Sequence, residues 1–250
     1  MAKLNSLFKF EGTLDDVTAY KRKGSFFLRK KGGISKDRIM SDPKFARVRE
    51  NNAEFGETGQ SVKALRDAFS MISKNVKVGE IAPKLMKTFT QIKNMDTTSV
   101  RGERKVAIGI ASAEAKAKLI GIDFSESSSL FSTLSKQLTV DPNNGSITIT
   151  DLIPKDEVNA AAGSNKVGFQ AVWARIHFDD KTYNTVVSNE VKVSLDPTPT
   201  TVALTFAAPP AGAGGTLILV LSIYFLQMIN GQDYLLQNNT FNAAAIIQVV

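Results

Sequence analysis

Residues 216–229 read TLILVLSIYFLQMI, fourteen residues without a charge. A membrane-spanning helix needs about 20 such residues, so this run is too short for a span, and no basic anchors flank it. Read as a strand, Leu217, Leu219, Leu221, Ile223 and Phe225 line one face, while Ile218, Val220, Tyr224 and Leu226 line the other. A strand with apolar residues on both faces must be covered on both. The cover comes either from the chain's own domain or from a neighbouring copy. Ile218, Val220, Tyr224 and Leu226 are therefore the candidate assembly surface.

Working back along the chain, the period of the apolar residues is 2 as far as residue 97. Val202, Leu204 and Phe206 alternate, as do Val191, Val193 and Leu195. Val167, Phe169, Ala171 and Trp173 form a further run, and Ile147 and Ile149 follow a turn at Asp141-Pro142-Asn143-Asn144-Gly145. Ile120, Ile122 and Phe124, and before them Val106, Ile108 and Ile110, continue the alternation. Short alternating runs between turn clusters predict an antiparallel, sandwich-like domain of about seven to nine strands over residues 99–250. The proline-rich stretches 196–200 and 208–215 read as interstrand connections.

Before residue 98 the pattern is different. Val17, Ala19 and Tyr20, then Lys21-Arg22-Lys23-Gly24, then Phe26, Phe27 and Leu28 predict a hairpin. Asp42-Pro43 marks a helix start, with Phe45, Val48, Asn52 and Phe55 on one face. Gly56 and Gly59 are expected to interrupt it. Val62, Leu65, Phe69, Ile72 and Val76 predict a second amphipathic helix, and a third begins near Pro83 with Leu85, Phe89 and Ile92 inside. The fold class is thus α+β, a hairpin plus two or three helices in residues 1–98 followed by the β domain.

The chain has 250 residues, no cysteine, one histidine and a formal charge of +7. Lack of cysteine excludes disulfides, thiolate metal sites and cysteine nucleophiles. Residues 1–111 carry 23 basic and 12 acidic side chains, net +11, and residues 112–250 carry 8 and 12, net −4. Opposite fields of this kind steer one copy onto another, or steer the basic half onto a polyanion. The start of the chain lacks the pattern of a secretory signal, so synthesis in the cytoplasm is expected.

Catalytic signals are weak. His177 has no assigned partner, and the adjacent pairs Asp15-Asp16, Asp156-Glu157 and Asp179-Asp180 point to opposite faces if extended. The 141–145 stretch lacks the glycine and glutamate of a calcium loop, and 212–215 lacks the lysine of a P-loop. Asn238-Asn239-Thr240 matches a glycosylation pattern that matters only in a secreted chain. No enzyme activity, cofactor or metal is expected. The one constellation with a binding mechanism is Lys21, Arg22, Lys23, Arg29, Lys30 and Lys31 interleaved with Tyr20, Phe26 and Phe27. Its cations would neutralise phosphates and its rings could stack on bases, or pack within the fold.

Gly12-Thr13-Leu14, Val17-Thr18, Tyr20, Arg29-Lys30-Lys31-Gly32-Gly33, Asp42-Pro43, Phe45, Arg47 and Arg49-Glu50-Asn51-Asn52 with Glu54-Phe55-Gly56 resemble the opening of a group of uncharacterised Bacteroidota proteins. Ile223-Tyr224-Phe225, Asn230-Gly231, Tyr234 and Phe241-Asn242-Ala243 are similar to that group's closing strands. The resemblance implies a bacterial origin and no activity, ligand or site residue. Three roles follow from the residues themselves. The first is a structural protein that self-associates into a ring, tube, filament or shell. The alternative is a nucleic-acid-binding protein that uses its basic N-terminal region. An enzyme whose carboxylates meet only in the fold is a third.

Overall fold

The computed structural model describes residues 2–3, 10–30, 33–78, 81–125, 127–236 and 241–250. The chain divides into two compact units, Met1–Glu50 and Asn51–Val250. None of the helices among the described residues is long and apolar enough to cross a membrane.

In the first unit, β1 (Ala2–Lys3), β2 (Gly12–Leu14), β3 (Val17–Arg22) and β4 (Ser25–Lys30) form an antiparallel sheet in the order β1-β4-β3-β2. The expected hairpin is β3-β4. It reverses through Lys23 and Gly24, both at positive φ (47° and 78°), the two-residue geometry that matches the twist of the strands. Ser35 caps α1 (Lys36–Ser41). Asp42 accepts the Lys44 N–H at 3.0 Å, and the Pro43–Phe45 turn that it caps leads into α2 (Ala46–Ala68).

Gly56 and Gly59 do not interrupt α2, which runs through both. Each costs about 1 kcal/mol relative to alanine, and burial of Val62, Leu65 and Ala68 further along outweighs that. Phe55, expected on the helix's inner face, is 68% exposed. The next predicted helix splits, because α2 ends at Ala68 and a 3-10 segment, Ser70–Lys74, carries Ile72 inward. The third stands as α3 (Ile81–Asn94), with Leu85, Phe89 and Ile92 fully buried.

Val106, Ile108 and Ile110 are not a strand. They form α4 (Val106–Gly109) and its cap, which buries Val106 and Ile110 four residues apart and exposes Ile108. An i, i+2, i+4 apolar pattern contains the i, i+4 spacing of a helix, and Gly109 decides between them. A Cβ there would lie 2.0 Å from the Ile92 carbonyl oxygen, so α4 packs against α3 where only glycine fits. After α5 (Ala113–Ala117), residues 120–124 are also not a regular strand. Gly121 and Phe124 N–H groups donate to the Ile246 and Ala244 carbonyls at 2.8 and 2.7 Å, and this segment closes one edge of the main sheet.

Beyond α6 (Leu130–Thr133) lie β5 (Thr139–Val140), β6 (Ile147–Leu152), α7 (Pro154–Glu157), β7 (Lys166–His177), β8 (Thr182–Val187), β9 (Val191–Ser194), β10 (Thr200–Leu204), β11 (Thr216–Ile229), β12 (Gln232–Leu235) and β13 (Ala243–Val249). The β-rich C-terminal region is antiparallel, as expected. Its main sheet of six strands is built on β7 and β11, paired from Thr216↔Ile176 to Leu226↔Lys166. β12 and β13 flank β11, and β8 and β9 flank β7. A second sheet has the order β10-β6-β5.

Each face of the main sheet has its own core. Val172, Ala174, Ile176, Ile218 and Val220 pack with Leu65, Leu85, Phe89 and Ile92 from α2 and α3. On the other face Phe169, Trp173, Leu219, Leu221 and Phe225 pack with Ile147, Ile149, Val202 and Leu204 from the small sheet. The helices of residues 51–94 therefore share a core with the sheet, and the chain divides at 50/51, not at the boundary expected at 98/99. Ile218, Val220, Tyr224 and Leu226 are all under 5% exposed within the single chain. As an assembly surface they are corrected: the cover is the chain's own.

Removal of residues 1–98 strips α2 and α3 from the helix-facing side of β7 and β11. A 99–250 fragment should be insoluble or unfold without cooperativity, whereas 51–250 should keep a single cooperative melting transition by circular dichroism. A soluble, cooperatively folded 99–250 fragment refutes the shared core.

Candidate nucleic-acid interface

The two units differ in charge. Residues 1–50 hold 13 basic and 6 acidic side chains, a net +7, while residues 51–250 hold 18 of each. The whole excess of the chain sits on its first fifth. Burial also differs. Among the described hydrophobic residues of this first unit, Ala19 alone is buried, and Phe10, Leu14, Val17, Ile34 and Met40 are exposed.

Pairing register sorts the side chains of the N-terminal sheet. Val17↔Lys30, Ala19↔Leu28 and Lys21↔Phe26 share one face, joined by Leu14 opposite Val17. The Lys21 ammonium lies 5.8 Å from the centre of the Phe26 ring. Thr18↔Arg29, Tyr20↔Phe27 and Arg22↔Ser25 share the other face, with Thr13 opposite Thr18. There the Tyr20 and Phe27 rings stack at 5.8 Å and 26°. Arg22 and Arg29 stand two residues either side of that pair, so their rows lie about 14 Å apart with the rings midway. Lys23 is at the hairpin tip.

The six candidate cations are thus not one cluster. Lys21, Arg22, Lys23, Arg29 and Lys30 are all exposed, but the structure brings Arg22 and Arg29 together with the aromatic pair and puts Lys21 and Lys30 on the opposite face. Lys31 lies outside the described residues, as does the 238–240 sequon. A run of six cations in a sequence conceals this division. The period of 2 exposes it once the turn at Lys23-Gly24 is known.

Several of the second unit's charges pair with one another. Lys93 and Glu54 form an ion pair with both side chains under 10% exposed. Glu54 also accepts the Gly102 N–H at 2.8 Å. Burial pushes the Glu54 carboxyl up, but the Lys93 hydrogen bond, the Gly102 N–H and the fields of Lys93 and Arg104 outweigh it and hold the group below its usual range. Asp96 accepts N–H groups from Thr98 (3.0 Å), Ser99 (3.0 Å) and Lys105 (3.1 Å). Burial raises it, the Ser99, Lys105 and Thr98 hydrogen bonds lower it further, and it stays ionised well below the ordinary carboxylate range. Lys181 bridges Glu57 and Ser61, both at 2.8 Å.

Tyr224 shows why β11 carries a hydroxyl. Its ring fills the space above Gly168, where a Cβ would lie 2.4 Å from it, and its hydroxyl donates to Glu190. Burial, then the Glu190 hydrogen bond and charge, raise its pKa well above that of an ordinary tyrosine. Lys166 and Lys192 pair with Asp233 at 2.9 and 3.7 Å beside it. His177 ends β7 and lines a cavity of about 350 Å³ with Lys116, Asp179 and Gly215. Asp180 serves the following turn, accepting from Thr182. Among the described residues no three His, Cys, Asp or Glu side chains converge as a metal site.

Replacing Lys93 by methionine strands the Glu54 carboxylate and should cost about 3–5 kcal/mol in a denaturant titration. An unchanged midpoint removes Lys93 from the network. The depressed carboxyls of Glu54 and Asp96 bind protons more weakly folded than unfolded, so their stabilisation is complete above about pH 5 and declines as the pH falls through the unfolded and then the folded pKa. Asp96→Asn should flatten the fall in stability between about pH 5 and 2, measured as the denaturation midpoint at each pH. No family model, curated protein or solved structure matches the chain.

Proposed function

We propose that this chain is a binding protein without a catalytic task, and that its N-terminal sheet holds a polyanion, with nucleic acid as the partner. One observation carries this reading: the entire net charge of +7 belongs to residues 1–50, while residues 51–250 balance at zero. Exposed cations concentrated on a small sheet raise the local concentration of a phosphate chain and speed its capture. The scarcity of buried apolar residues among the described residues of the same unit supports it too, since a sheet with little core gains from a partner that orders it.

Self-association, the other role read from the sequence, rested on the two-faced strand and on opposite fields in the two halves. With the strand's two faces covered within the chain and no net charge on the larger unit, those features support self-association less than the basic first unit supports a polyanion partner. Multi-angle light scattering on the intact protein tests it separately.

The binding experiment is a titration of a labelled mixed-sequence oligonucleotide by fluorescence anisotropy over a range of salt. Engagement of three to five phosphates by Lys21, Arg22, Lys23, Arg29 and Lys30 predicts a slope of log K against log salt of roughly −2 to −3.5 for a single strand. No binding at low salt sinks the reading.

A further inference from the structure

We infer that the Tyr20–Phe27 face of the N-terminal sheet takes single-stranded nucleic acid, a base extending the ring stack while Arg22 and Arg29 hold phosphates on either side. This rests on the polyanion reading and adds to it the kind of strand, the face and the mode of contact.

The two faces of the sheet have different chemistry. One presents Leu14, Val17, Ala19 and Leu28 with two lysines, one of them already placed over Phe26. The other presents Thr13, Thr18, Ser25, Arg22, Arg29 and the stacked rings, all of them hydrogen-bond donors or π surfaces, with no carboxylate among the paired residues of β2, β3 and β4. Hydroxyls and guanidinium groups donate to phosphate oxygens, and the planar fork of arginine binds two of them at once. The rings are half-buried, hence fixed in place, and the flanking guanidinium groups are exposed.

The spacing selects the strand. An aromatic row lies about 7 Å from an arginine row on each side, so a chain crossing the face meets cation, ring and cation in turn. Stacking needs an open base face. A duplex has none to offer, because its bases are stacked on one another, whereas a single strand can splay one onto the rings. A sulfated or phosphorylated polymer without bases would use the arginines and leave the rings idle.

The test uses the full chain and three labelled probes at one low salt concentration: an oligothymidylate, a duplex of the same length and heparin. Tyr20→Leu and Phe27→Leu keep apolar bulk and remove the π face, and Tyr20→Phe keeps the ring. Each leucine variant should weaken oligothymidylate binding by about 5- to 150-fold, the range of one stacked base, with heparin binding unchanged and Tyr20→Phe close to the parent. Should the leucine variants lose their sheet by far-UV circular dichroism, Phe27→Trp replaces them. Its added indole emission, above that of buried Trp173, should be quenched by oligothymidylate and not by heparin. Equal binding of all three probes with no effect of leucine, or binding without quenching, overturns stacking and leaves the polyanion reading standing. No binding of any probe removes both.

Discussion

The β7–β11 ladder sets the terms for the second unit. Its eleven-residue register leaves almost no free backbone group in the middle of either strand, and both strands are apolar on both faces. Such a pair is stable only if two separate layers cover it, at roughly 1.5–3 kcal/mol for each large side chain buried. Helices α2 and α3 supply one layer and the β10-β6-β5 sheet supplies the other. Close contacts across the layers follow from this demand. Trp173 projects toward the small sheet and lies against Gly145, where a Cβ would be 2.8 Å from the indole. The turn at 141–145 is therefore also a platform, and its glycine, at φ 70°, serves the turn and the indole together.

Polar groups hold together what the apolar layers cannot. The connection from α3 to α4 has few regular hydrogen bonds, and Asp96 replaces them by collecting three backbone N–H groups on one carboxylate. Glu54 ties the same connection to α2 through Gly102 and ties α2 to α3 through Lys93. Glu57 reaches the β7–β8 turn through Lys181 and receives the Val106 N–H at 3.3 Å. Three carboxylates thus join helices, connection and sheet on the helix-covered side. A buried pair of this sort adds little net stability over an apolar one, but it fixes register, since either charge alone is costly to bury.

The alternating runs of β6, β7, β9 and β10 were legible in the sequence, as were the buried residues of α3 and the β3-β4 hairpin. The reason is that each has one period that no other element shares. Val106, Ile108 and Ile110 misled because three residues cannot separate a period of 2 from one of 3.6, and the deciding contact, Gly109 on the Ile92 carbonyl, lies fourteen residues or more away. Gly56 and Gly59 misled because local propensity is weaker than the burial of Val62 and Leu65 beyond them. The two-faced character of β11 was plain, but which layer covered which face depends on long-range packing. The basic cluster was visible as composition; its division between faces was hidden until register assigned Arg22 and Arg29 to the ring pair.

That division bears on how the N-terminal sheet differs from the main one. In the main sheet both faces are apolar, so register decides only which layer a residue meets. In the N-terminal sheet the faces differ, and a slip of one residue would exchange rings and arginines for aliphatic residues and lysines. Register is held there by the Lys23-Gly24 turn, whose positive φ values admit only one pairing, and by the Tyr20–Phe27 stack across it. A sheet with a single buried hydrophobic residue among those described has little packing to correct such a slip. The turn and the ring pair therefore carry both the register and the proposed binding face, so the residues that stabilise this hairpin are the same ones that would meet a base.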